Sequence, residues 1–346
     1  MPPTVTMNQP LRDDLTGPPS KRGKVGAAPA ATTKERLQIK TILVPLDFSV
    51  ASMQALDYAI PFAEQFHSAI HLLYVHEKDH EFFPNEDASR LLFESVEATT
   101  RLRQRLAKVQ HEHPLPFHAE DSHVQFGPAP RKTWELARKL DADLIVIASR
   151  GWCVLPRVLL GSTAERIVRH APCPVLVVRR RTPEFDASTS ESTGYPAEIH
   201  SILVPVDFSA LSIKAVDYAA AIAKAFDARL HLYHVNLSHD HLVMDRAVHD
   251  PATLQRTQMA AARDQMQKVA RMKSLRGVAC ETTVRSGYPI QEICGAIERV
   301  KADLVVTATH GLTGLKNVLI GRVAEHVIRY ADCPVLVLPR GSRPMK

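Results

Sequence analysis

Hydrophobic and polar positions switch between two periods along most of this chain. Thr41 to Leu46 is a short, nearly all-apolar run rich in β-branched residues, the pattern of a strand buried on both faces. The following stretch takes up a helical period: Ala55, Ala59, Phe62, Ala63 and Phe66 fall on one face, and Ser49 stands where a cap is needed. Further on, the pattern predicts a strand over Ala69 to His76, a long polar helical region at about Ala88 to Gln110 and a strand over Phe117 to Gln125. A helix over about Arg131 to Leu140 and a strand over Asp143 to Ser149 come next. A glycine-containing loop then leads into a helix over Ser162 to His170 and a last strand over Pro174 to Val178. Alternating helices and buried strands predict a doubly wound α/β domain with a parallel sheet.

The same pattern is then written again. ILVPLDFS at Ile42 to Ser49 returns as ILVPVDFS at Ile202 to Ser209, an offset of 160 residues. Asp57-Tyr58-Ala59, His71-Leu72, Gly127, Ala142-Asp143-Leu144 and Cys173-Pro174-Val175-Leu176-Val177 all return at that same offset. A period this long makes each unit a whole domain rather than a solenoid repeat. The expected architecture is therefore two tandem doubly wound α/β domains, over 40–180 and 199–340. The segment RRRTPEFDASTSESTGYPAE (Arg179 to Glu198) has linker composition, and 181–198 is read as the linker. Residues 1–39, rich in Pro, Gly, Thr and Ala and nearly without aromatics, cannot bury enough surface to offset their ordering entropy and are expected to be disordered.

Composition changes the picture in three places. The chain has 346 residues, 45% hydrophobic and 23% charged, and its longest clean apolar runs fall far short of the roughly 20 residues a bilayer span needs. With no basic-then-apolar leader at the amino terminus and five cysteines without a CxxC pair, a cytoplasmic protein with reduced thiols is expected, and no membrane partner. The net charge of +6 suggests a nucleic-acid partner, but residues 1–40 hold seven Lys or Arg against three Asp or Glu, leaving the body close to neutral. That placement argues against nucleic-acid binding.

Doubly wound sheets bind ligands in the crevice beyond the carboxyl ends of their strands. The rule nominates Asp47 and Asp207 after the first strands, Val75 and Val235 near the ends of the second, and Gly151 and Gly311 after the fourth. Gly161-Ser162-Thr163 opens a helix whose free amides and dipole suit a phosphate. On one copy alone, Gly161 as a tight turn and Ser162 as an ordinary N-cap is an equal alternative.

These residues resemble the universal stress protein family. The resemblance covers both halves and rests on ILVPxDFS, HLLYV or HLYHV, the loop with nine residues between its two glycines, and AERIVRHAPCPVLVV. It implies an adenine-nucleotide-binding HUP/Rossmann-like fold, with ATP (or ADP) as ligand and Mg2+ as an accompanying ion. Asp47 and Val75 would face the nucleoside. Gly151, Gly161 and Ser162 would hold the phosphates, with Pro45, Ala148, Arg150 and Thr163 beside them; Asp207, Val235, Gly311 and Gly321 match in the second copy. Both copies carry alanine (Ala148, Ala308) where the family motif has its first glycine, and Arg322 replaces Ser162. A weakened second site is therefore expected. In the family the last strand makes the dimer, so the resemblance implies that the two copies pair within one chain, a homodimer of chains being left open.

Two other signals are set aside. His76-Glu77-Lys78-Asp79-His80 spells HExxH, but it leaves a strand and meets Pro84 instead of lying on a helix. His111, His113, His118 and His123 read as solvated loop and strand residues. No metal ligand set and no catalytic residue is assigned, and no general base or nucleophile is evident in the crevice. A nucleotide-binding regulatory protein in the stress response, with little or no turnover, is the favoured reading; a slow ATPase and a nucleotide-free scaffold are the alternatives.

Overall fold

The computed structural model describes residues 38–77, 100, 103–104, 107–108, 111, 122–149, 160–179, 199–237, 251–309 and 320–341. The expected linker, and all of the tail before Gln38, lie outside them. Ile39, read from the sequence as the last tail residue, is instead buried in the core, and its carbonyl accepts a hydrogen bond from Ser68 Oγ.

The first half runs β1 (Thr41–Leu46), α1 (Val50–Phe66), β2 (Ala69–His76), β3 (Ser122–Phe126), α2 (Ala129–Lys139), β4 (Leu144–Ala148), α3 (Ser162–His170) and β5 (Val175–Val178). The second runs β6 (Ser201–Pro205), α4 (Ala210–Phe226), β7 (Arg229–Leu237), α5 (Pro251–Ala270), β8 (Cys280–Gly287), α6 (Pro289–Arg299), β9 (Leu304–Ala308), α7 (Arg322–Tyr330) and β10 (Val335–Leu338). Of the helical region expected at about Ala88 to Gln110, the few described residues are helical, and its second-copy counterpart is α5. The strand expected from Phe117 is described only from Ser122.

Each half is a parallel sheet with its first strand near the middle, in the orders β3-β2-β1-β4-β5 and β8-β7-β6-β9-β10. The apolar runs are the reason. Ile42, Leu43 and Val44 are fully buried, because helices cover both faces of the sheet. Ile42, Val44 and Leu46 pack with α1 on one face, and Leu43 with α2 and α3 on the other. The helices start where their hydroxyls permit: Ser49 Oγ accepts the Ser52 N–H at 3.2 Å, and Ser209 Oγ accepts the Ser212 N–H at 3.1 Å.

The halves share one ten-stranded sheet. β5 and β10 pair antiparallel, with Leu176 opposite Leu336. Both core clusters run through both halves. Below the seam, α1 touches α4: the Phe62 and Phe226 rings lie 5.3 Å apart, and Gln65 Nε2 donates to the Ala225 carbonyl.

Candidate functional site

In each half the chain reverses direction across the sheet between the first and fourth strands, β1 and β4 or β6 and β9, so a crevice opens at their carboxyl ends. Asp47 and Asp207 stand at that point. Each folds back so that its Oδ1 accepts the amide of the serine two residues on, at 2.9 Å for Ser49 and 3.0 Å for Ser209. The residue between is forced into the left-handed region, Phe48 at φ 59° and Phe208 at φ 63°. For a bulky side chain that conformation costs on the order of 1–3 kcal/mol. Ring contacts offset part of it: Phe48 stacks on Tyr74 at 5.2 Å and Phe208 lies 4.4 Å from His234. The same strained turn occurs at the same strand tip in both halves, with no glycine in the sequence to announce it.

Pro45 lies within β1 opposite Leu73, and Val75 and Val235 lean on the core beneath the second strands. Ala148 ends β4, half-buried. From there the structure ties strand tip to helix start. The Gly161 N–H donates to the Ser149 carbonyl at 2.9 Å, and the Gly321 N–H to the Thr309 carbonyl at 2.6 Å. Gly161 and Gly321 are the N-caps of α3 and α7, with ordinary φ values of −62° and −58°, and as glycines they bring no side-chain cap of their own. Glycine is thus not needed there for its backbone freedom. It leaves the first-turn amides without a side chain over them. The alternative of Ser162 as the cap is corrected: it is the first helical residue, exposed beside exposed Thr163. Arg322 and Val323 take those places in the second half, and Arg322 is likewise exposed, so its guanidinium does not fill the core. Glu165 in the first turn of α3 is paired with Arg169, and Glu325 of α7 with Arg329. Arg150, Gly151, Trp152 and Gly311 lie outside the described residues.

One signal that sequence reasoning discarded returns here. His76 and Asn236 occupy matching positions one residue past Val75 and Val235. His76 Nε2 and Asn236 Nδ2 are buried without a hydrogen-bond partner. Leaving such a group unpaired costs about 1–3 kcal/mol. In the second half, burial holds the His234 imidazole below its usual pKa, partly opposed by its bond to the Val206 carbonyl and by Asp207. Of the HExxH segment, His76 closes β2 instead of lying on a helix, and Glu77 Oε1 accepts the Ala129 N–H at 2.7 Å; Lys78 to His80 lie outside the described residues. Among the described residues no group of three or more His, Cys, Asp or Glu could hold a metal, and no helix is long and apolar enough to cross a membrane. Cys173 is buried, which raises its thiol pKa far above the usual value and suits a packing role.

Comparison with known proteins points one way. The sequence profile of the universal stress protein family matches twice, over residues 38–179 and 198–339. The universal stress protein MJ0531 of Methanocaldococcus jannaschii is 37% identical over 143 residues, 41% of this chain and 83% of that protein. Universal stress protein G of Salmonella typhimurium is 39% identical over 147 residues, 40% of this chain and 99% of that protein. Among solved structures, a universal stress protein from Archaeoglobus fulgidus superposes with a TM-score of 0.60 at 20% identity, covering 88% of this chain and all (100%) of that one, which is a likeness of fold.

Proposed function

The chain belongs to the universal stress protein family, and from that premise we propose that it binds an adenine nucleotide, ATP or ADP, as a regulatory protein of the stress response with little or no turnover. The observation that carries this reading is the uncapped, glycine-led start of α3, tied to the tip of β4 at the switch point of the sheet. Free amides and the helix dipole attract a polyphosphate there. Ser162 and Thr163 add two exposed hydroxyls that can donate to it. Asp47 and Val75 would flank the nucleoside, and the unpaired nitrogen of His76 lies one residue beyond. Mg2+ would arrive with the triphosphate. The residues present fit such a ligand: they offer donors where phosphate needs them, and Asp47 is oriented by the Ser49 amide.

The second site keeps the backbone but loses both hydroxyls, to Arg322 and Val323. We propose that it is the weaker one. The β5–β10 seam serves as the family's dimer contact within one chain. The protein acts in the cytoplasm on this reading.

Calorimetric titration of the full chain with ATP and with ADP tests the proposal. One tight and one weak event are expected, with Ser162→Arg abolishing the tight one and Arg322→Ser strengthening the weak one. Phosphate release should match buffer. Absence of heat together with absence of any thermal shift would leave the nucleotide-free scaffold as the better account.

A further inference from the structure

His71 and His123 meet only because the sheet puts them together. His71 is near the start of β2 and His123 near the start of β3; Leu73 pairs with His123, which makes the histidines diagonal neighbours on one face. His71 Nδ1 lies 3.3 Å from His123 Nε2, and the rings stack at 29° with centroids 5.5 Å apart. Two imidazole nitrogens held by one Zn2+ at about 2.0–2.1 Å with a tetrahedral angle stand about 3.3 Å apart. At right angles, on an octahedral or square-planar ion, they would stand about 2.9 Å apart. We propose that His71 and His123 form a two-histidine site for Zn2+, joining the outermost strand of the sheet to its neighbour.

The chemistry is a ligand exchange. Without metal, one ring donates its N–H to the other ring's nitrogen. Binding requires both nitrogens to present lone pairs, so the donor ring moves its proton to its other nitrogen through solvent. Two N–Zn bonds form and four of the six water molecules leave the hydrated ion, two staying on to complete a tetrahedral centre. Among the described residues no third His, Cys, Asp or Glu joins the pair; on a site held by these two rings, water fills the remaining positions. β3 is the end strand, which leaves the pair at the rim of the sheet.

The second half lacks the arrangement. His231 remains, but Thr283 stands where His123 does, opposite Tyr233. Glu281 stands opposite it, with Oε2 3.5 Å from His231 Nδ1, and Arg229 Nη1 is 2.8 Å from the other oxygen of that carboxylate. A guanidinium already there opposes a dication. One zinc per chain is expected, at the amino-terminal ends of the first half's strands and so at the rim opposite that half's own crevice.

Equilibrium dialysis of the full chain against ZnCl2, with no nucleotide present, gives the test. His123→Thr copies the second half's own residue, and His71→Gln keeps a polar group of similar length. Each should lose one bound zinc and weaken binding at least tenfold, while His231→Gln should not. Circular dichroism of the metal-free variants checks that they fold. With Co2+ in place of zinc, the wild type should show the intense visible bands of a tetrahedral ion, absent in His123→Thr. Equal zinc binding by folded wild type and His123→Thr would overturn the proposal, since the metal would then sit on others of the 17 histidines. Weak six-coordinate cobalt bands would overturn it too.

Discussion

Leu176→Ala and Leu336→Ala ask whether the halves are one thermodynamic unit. Leu176 is 0% exposed and Leu336 2% exposed, and they face each other across the antiparallel seam within one core cluster. Truncation to alanine removes three carbons, worth about 2.4 kcal/mol at roughly 0.8 kcal/mol for each buried CH2. The cavity adds to that, and about 3–4 kcal/mol each is expected, within the range for buried leucines. Because the two cavities merge, the double variant should depart from additivity by about 0.5–3 kcal/mol. Urea unfolding followed by circular dichroism and by tryptophan fluorescence reads the result, since both tryptophans, Trp134 and Trp152, lie in the first half. If the sheet is one cooperative unit, Leu336→Ala shifts the fluorescence transition as far as it shifts the circular dichroism. Two separated transitions, with fluorescence indifferent to Leu336→Ala, would refute the reasoning.

Two further outcomes follow from local chemistry. Burial lowers the pKa of His234 and of His231, so the unfolded chain binds more protons near the usual value of 6.5; stability is complete above that pH and falls as the pH drops below it. His234→Tyr, which copies Tyr74, should flatten the dependence of the urea midpoint on pH between about 5 and 6.5; an unchanged slope would exclude His234 as a source. Glu77→Leu should destabilise by about 0.5–1 kcal/mol, because its carboxylate caps the exposed amide of Ala129 at the start of α2. Adding Ala129→Pro should restore the loss, as the second half itself does with Leu237 and Pro289, where no amide hydrogen is left to satisfy; thermal midpoints of the single and double variants decide it.

What the sequence made legible is what local pattern controls. β1 and α3 begin and end where the apolar run and the helix period place them, and Ser49 caps as its position predicts. Contacts that depend on register across distant strands were not legible. His71 and His123 are 52 residues apart, and only the pairing of Leu73 with His123 makes them neighbours. The left-handed Phe48 and Phe208 carry no glycine or asparagine to mark them; tertiary stacking holds them there. Ser162 looked like a cap because serine usually is one, whereas the N-cap is Gly161, one residue earlier, whose amide is engaged with Ser149.

The seam between β5 and β10 has a geometric result. Every strand within a half points one way, and the seam is antiparallel, so the two halves point in opposite directions. Their mouths therefore open at opposite rims of a single slab. Whatever docks over one leaves the other clear.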